Sequence, residues 1–158
     1  MNTLIVYSSK YGCTEKCAKM LSDELKDKVD LINLKNVKDI NPSTYDKVII
    51  GGSIYIGKIQ KEVKEFCSQH LDVLQNKHIG LFICGMQEGD VSETINVNFP
   101  QELLKIAEAK ENFGGEFDFH KMNFMEKMII KKISKESANK SNILEDSIQR
   151  FAQIMNTI

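Results

Sequence analysis

Three short stretches carry the residue types that can do chemistry. The first is Ser8-Ser-Lys-Tyr-Gly-Cys-Thr14, which follows the apolar run Thr3–Tyr7 and leads into a helical pattern. Ser8, Ser9 and Thr14 offer hydroxyl groups, Gly12 permits a tight backbone cradle, and Lys10 adds a positive charge. Backbone N–H groups that converge at a helix start, helped by the helix dipole, make a seat for an anion. The stretch is neither a Walker loop nor a G-x-G-x-x-G fingerprint, so a ligand with one phosphate suits it better. An ordinary polar turn with a good helix cap is the competing explanation of this loop.

The second stretch is Gly51-Gly-Ser-Ile-Tyr-Ile-Gly57, directly after a buried-strand pattern. Ser53, Ile54, Tyr55, Ile56 and Gly57 make a mostly apolar loop that can wall a planar ring. Tyr55 is its natural stacking partner, and an offset aromatic pair contributes roughly 0.5–1.5 kcal/mol beyond burial. Simple packing of Tyr55 beneath its own loop is the alternative. The third stretch, Cys84-Gly-Met-Gln-Glu-Gly-Asp90, sets Met86, Gln87 and Glu88 between Gly85 and Gly89. It reads either as a set of backbone amides facing a ligand edge or as a solvated turn.

These loops need a scaffold that brings them together, and the hydrophobic pattern supplies one. Apolar strand patterns at Thr3–Tyr7, Val29–Leu34, Lys47–Gly51 and Ile79–Cys84 alternate with helical patterns at Thr14–Lys26, Gln60–Leu74 and Pro100–Ala109. Gly115–Phe119 is the expected last strand, and Asn41–Asp46 is a turn. A final helix carries Leu144, Ile148, Phe151, Ala152 and Met155 as one stripe, with Asn142 and Glu145 as a capping box. Strands alternating with helices imply a parallel sheet covered on both faces. The expected fold class is α/β, a doubly wound five-stranded parallel sheet in the order 2-1-3-4-5. That order places the ligand crevice at the C-terminal ends of the first and third strands, where the first two loops lie.

Length and composition agree with a single domain spanning 1–158. The chain has 158 residues, 42% hydrophobic and 27% charged, with a formal net charge of -1. Near-neutral charge gives no long-range attraction to nucleic acid. Arg150 is the sole arginine, which removes bidentate recognition of bases and phosphates. Cys13, Cys17, Cys67 and Cys84 form no C-x-x-C pair, and no secretory pattern precedes the first strand. A cytoplasmic protein with reduced thiols is expected. His70, His78 and His120 lack metal-ligand spacing, so no metal site is expected.

Residues 120–140 stand apart. Lys121–Lys140 holds six lysines against Glu126 and Glu136, with Phe124, Met125, Met128, Ile129 and Ile133 near helical spacing. This basic amphipathic insert reads as packing on the core, as a cover that receives an anionic apolar substrate, or as a transient contact with an anionic membrane or a protein partner, weak in the case of a bilayer.

Taken together, the three loops resemble the flavodoxin family. The family's phosphate loop is Ser/Thr-x-Thr-Gly-x-Thr, and Ser9-Lys-Tyr-Gly-Cys-Thr14 matches it with Tyr11 in place of the middle threonine. Tryptophan is absent, so the family's common tryptophan side of an aromatic sandwich is missing. A narrower resemblance is to the flavodoxin-type, menaquinone-dependent protoporphyrinogen dehydrogenases. It is carried by Ser8–Thr14, by Gly51–Lys58 and the helix with Phe66, and by Gly114-Gly-Glu-Phe together with Phe124–Ile133.

The resemblance implies FMN as cofactor, with Ser8 to Thr14 at its phosphate and the other two loops on either side of the isoalloxazine. Glu88 and Asp90 would then disfavour added negative charge on the ring. It implies an FMN-dependent oxidoreductase that passes electrons between a porphyrinogen substrate and a quinone or a redox partner protein. A flavodoxin acting as a one-electron carrier is the alternative, and a flavin-free interaction module the third. No side chain stands out as a general base, so no catalytic residue is assigned. The oligomeric state is not legible in the sequence.

Overall fold

Leu4, Ile5 and Val6 are all shut off from solvent, which marks a strand buried on both faces and places it inside the sheet. In a computed structural model describing residues 1–37, 39–85, 90–117 and 140–158, this run is β1 (Asn2–Ser8). It pairs in parallel with β2 (Lys28–Asn33) on one side and β3 (Lys47–Ser53) on the other. β4 (His78–Cys84) and β5 (Ala107–Asn112) extend the sheet, giving the order β2-β1-β3-β4-β5. The expected doubly wound topology is the one observed.

The two-residue period of the strands divides the core into two layers. Leu4, Val6, Val48, Ile50 and Leu81 face α2 (Lys61–Gln69), α3 (Leu71–Leu74), α4 (Val91–Asn98) and α5 (Gln101–Ile106). Ile5, Tyr7, Ile49 and Phe82 face α1 (Cys13–Glu24) and the C-terminal α6 (Glu145–Asn156). On that second face Phe82 stacks on Phe113 at 4.7 Å, and both meet Phe151 edge-on.

Several expectations need correction. The fifth strand is Ala107–Asn112, not Gly115–Phe119. Its sequence Ala-Glu-Ala-Lys-Glu-Asn has weak strand propensity, and charges on an edge strand serve to block further pairing. For the same reason the helix expected over Pro100–Ala109 stops at Ile106. Gly114–Phe117 is a strand, β6, but it pairs antiparallel with β7 (Lys140–Ile143) in a separate two-stranded sheet. Asn142 lies within β7, so it cannot cap α6. Leu144 holds that position without a side-chain cap. The Gln60–Leu74 helix breaks at His70 into α2 and α3, and α4 was not anticipated. The basic insert at 120–140 falls outside the described residues, apart from Lys140 at the start of β7. No helix among the described residues is long and apolar enough to cross a membrane.

Candidate cofactor-binding site

β1 ends at Ser8 and α1 begins at Cys13, so four residues make the whole turn. Gly12 takes the N-cap position at φ 93°, a left-handed conformation that a side chain would strain. Ser9 Oγ accepts a hydrogen bond from the Gly12 N–H at 2.9 Å and so closes the turn on itself. The Gly12 N-cap makes no side-chain capping hydrogen bond, and helix starts of this kind can seat an anion. Lys35, just beyond β2, donates from Nζ to the Ser9 carbonyl at 2.6 Å. This second cation beside the loop was not singled out from the sequence, because only the pairing of β2 with β1 brings it there.

The other hydroxyls of the loop have defined places. Ser8 is buried and donates to Glu62 Oε2 at 2.8 Å, joining the end of β1 to the first turn of α2. Thr14 is buried too, with its Oγ1 2.5 Å from Ser53 Oγ. That contact ties the first loop to the second. Tyr7, next to the last residue of β1, donates to Glu15 at 3.2 Å. Burial, then the Glu15 charge, pushes the Tyr7 phenol up to about 12.

The second loop is a tight turn. Tyr55 and Lys58 exchange backbone hydrogen bonds of 2.9 and 3.1 Å across Ile56 at φ 50° and Gly57 at φ 75°. Two successive positive φ angles define a type I′ turn. The turn is held from outside by Asn98 of α4. Asn98 Oδ1 accepts from the Ile59 N–H at 3.0 Å, and its Nδ2 donates to the Gly57 carbonyl at 3.0 Å. Gln60 Oε1 likewise accepts from the Ser53 N–H at 3.0 Å. Neither Asn98 nor Gln60 was picked from the sequence. No local pattern marked them, because α4 itself was not anticipated and the burial of Asn98 appears only in the fold.

Between the two loops lies a cleft of about 410 Å³ walled by Lys10, Ser53, Tyr55, Ile56, Lys58, Ile59 and Gln60. Lys10 Nζ sits 3.5 Å from the centre of the Tyr55 ring and 5.6 Å from that of Tyr11. The cleft therefore has a cationic side at Lys10 and an aromatic side at Tyr55. Such a lining suits a planar ring attached to an anion.

The third loop is placed only in part. Cys84 is buried at the end of β4, and its carbonyl accepts from the Ile54 N–H at 2.8 Å, so the second and third loops meet. Gly85 donates to the Gly114 carbonyl at 2.8 Å. Asp90 caps α4, accepting from the Ser92 and Glu93 N–H groups at 2.9 and 3.3 Å. Met86, Gln87, Glu88 and Gly89 lie outside the described residues.

The chain matches the family described as Flavodoxin domain over residues 4–143. Protoporphyrinogen IX dehydrogenase [quinone] of Escherichia coli (strain K12) is 34% identical over 73 residues, which is 44% of this chain and 40% of that protein. The alignment thus spans less than half the length of the relative. A short-chain flavodoxin associated with a non-canonical PDU bacterial microcompartment aligns with a TM-score of 0.69 at 14% identity, covering 99% of this chain and 97% of that one. A Fusobacterium nucleatum flavodoxin bound to flavin mononucleotide aligns with a TM-score of 0.56 at 17% identity, covering 99% and 97%. At these identities the structural likeness speaks for the fold, and the family match settles membership: this chain belongs to the flavodoxin domain family.

Proposed function

We propose, with that membership as premise, that the chain is one flavodoxin-like domain that binds FMN between its first two loops and works in redox chemistry. The observation that carries the reading is the Thr14–Ser53 contact beside the cleft. It ties the turn at the start of α1 to the aromatic turn after β3, which supports a ligand that reaches both. The residues present fit the group. Ser9, Gly12 and the start of α1 would hold the phosphate, with Ser8, Lys10, Tyr11, Cys13 and Thr14 in the same loop. Ser53 to Gly57 would line one side of the ring, and Cys84, Gly85 and Asp90 belong to the loop on its other side.

FMN would supply the electron-transfer chemistry, and the protein supplies binding, orientation and access. Lys10 has to leave the Tyr55 face, or share it, when a ring enters. Its ammonium group would then meet the ligand's negative charge. By likeness to the protoporphyrinogen IX dehydrogenase, the chain would act as an oxidoreductase taking electrons from a porphyrinogen-type substrate and giving them to a quinone. A second reading, a one-electron carrier docking on protein partners, is favoured by the exposed Asp90 and Glu93 at the rim.

Binding of FMN and of riboflavin, measured by fluorescence quenching, tests the first reading. FMN should bind far more tightly, and the Ser9→Ala, Thr14→Val pair should erase most of that advantage while the circular dichroism spectrum is kept. Equal affinity for the two flavins in the wild type would overturn the phosphate assignment. Reduction without oxygen separates the two roles: a carrier should pass through two distinct one-electron stages, and a dehydrogenase through a single two-electron change.

A further inference from the structure

Cys13 and Cys17 stand one turn apart on α1, so both side chains leave the helix on the same side. That side faces the sheet, where Cys84 ends β4. The three Sγ atoms all lie within 4.8 Å of one another, and all three residues are buried. Cys67 is also buried, but it belongs to the core on the opposite face of the sheet. We propose that Cys13, Cys17 and Cys84 form a three-thiolate site for a trivalent thiophilic metalloid of the arsenite class. Cys13 and Cys84 belong to loops that the flavin reading uses, but none of the three cysteines is among the residues that wall the cleft.

Spacing is the first support. Metal–thiolate bonds of roughly 2.3 Å put three ligand sulfurs about 3.5–4 Å apart, within reach of small χ1 rotations from this cluster. Charge is the second. The thiols sit in a core with Ile5, Leu21, Ile49 and Phe82, where an uncompensated charge is costly. Three thiolates on a trivalent centre are neutral. Three on zinc would leave one negative charge and call for a fourth ligand, and among the described residues the cluster consists of these three. Three on a monovalent copper would leave two negative charges.

The third support is the chemistry of the ligand, because neutral arsenous acid condenses directly with thiols. In its condensation three S–H and three As–O bonds break, three As–S and three O–H bonds form, and three waters leave. Arsenic stays trivalent, and no oxidant or reductant is required.

The test is incubation of the purified full-length protein with sodium arsenite, using a phosphine reductant free of thiols, followed by gel filtration. Native mass spectrometry of the wild type should show a gain of one arsenic and a loss of three hydrogens. The melting temperature should rise, because the bound centre joins α1 to β4. Cys13→Ser, Cys17→Ser and Cys84→Ser should each fail to retain arsenic, and Cys67→Ser should retain it fully. Loss of only two hydrogens, dependence on Cys67, or retention by the triple serine variant would overturn the proposal. Stronger retention of zinc or copper(I) than of arsenic under the same conditions would overturn the choice of ligand. The mass reading on wild-type protein holds even if a serine variant fails to fold.

Discussion

Thr14 Oγ1 and Ser53 Oγ stand 2.5 Å apart, joining the first turn of α1 to the last residue of β3. The pair fixes the spacing of the two loops that wall the cleft, at a place where neither loop is held by sheet hydrogen bonds alone. A double-mutant cycle on Thr14→Val and Ser53→Ala should therefore show a coupling of about 0.5–1.5 kcal/mol in urea unfolding. Strictly additive losses would mean that the contact contributes nothing.

Lys47 is buried at the start of β3, donates to the Met155 carbonyl at 2.8 Å and pairs with Asp27 at 2.7 Å. Removing the carboxylate charge leaves that ammonium group buried without a counterion. Asp27→Asn is expected to lower stability by about 3 kcal/mol, read from the urea midpoint with an unchanged m-value.

The same pair sets an acid limit. Burial alone would raise the Asp27 carboxyl, but hydrogen bonds from Lys47 and Thr3 and the Lys47 charge outweigh it and hold the group below its usual value. A depressed folded pKa stabilises the fold above the unfolded value, near 3.9. That contribution is lost as pH falls through the lower folded value. In acid titration followed by circular dichroism, the wild type should lose more stability below pH ~4 than Asp27→Asn does. Parallel curves would remove Asp27 from the acid response.

A Cβ on Gly51 would fall 2.1 Å from Cζ of Phe82. Phe82 is fully buried and pinned by Phe113 and Phe151, so it has no room to retreat. Gly51→Ala should cost about 1–3 kcal/mol, seen as a lower melting temperature, with the loss partly recovered by adding Phe82→Leu. A neutral Gly51→Ala would imply that the aromatic trio packs differently.

Ile56 carries a β-branched side chain at φ 50° while 59% exposed. Asparagine suits that position of a type I′ turn far better, so Ile56→Asn should raise stability by about 1 kcal/mol. If Ile56 lines the bound ring, the same variant should weaken FMN binding. A gain in stability accompanied by a loss of affinity would assign the strain to function.

Much of the architecture was legible because it follows from local periodicity. The continuous apolar runs Leu4–Val6 and Val48–Ile50 supply buried side chains to both faces, which forces a doubly covered sheet. The Ser9, Gly12 and Thr14 spacing marked the first turn, since only glycine takes φ 93° there without strain. β5 was not legible, because Ala107–Asn112 becomes a strand through pairing with β4 rather than through its own propensity.

By itself, then, the sequence determined the order of the first four strands, the switch point and the loops that flank it. These are properties of neighbouring residues and of chain connectivity. Only tertiary structure decided that Lys35 reaches Ser9, that Asn98 clamps the Gly57 turn, that Lys10 lies over Tyr55, and that Cys84 meets Cys13 and Cys17. Each of those partners is remote in sequence or reaches its mate across a loop. Side-chain direction at a strand end or helix start is set by the packing of the assembled sheet, which no local pattern encodes.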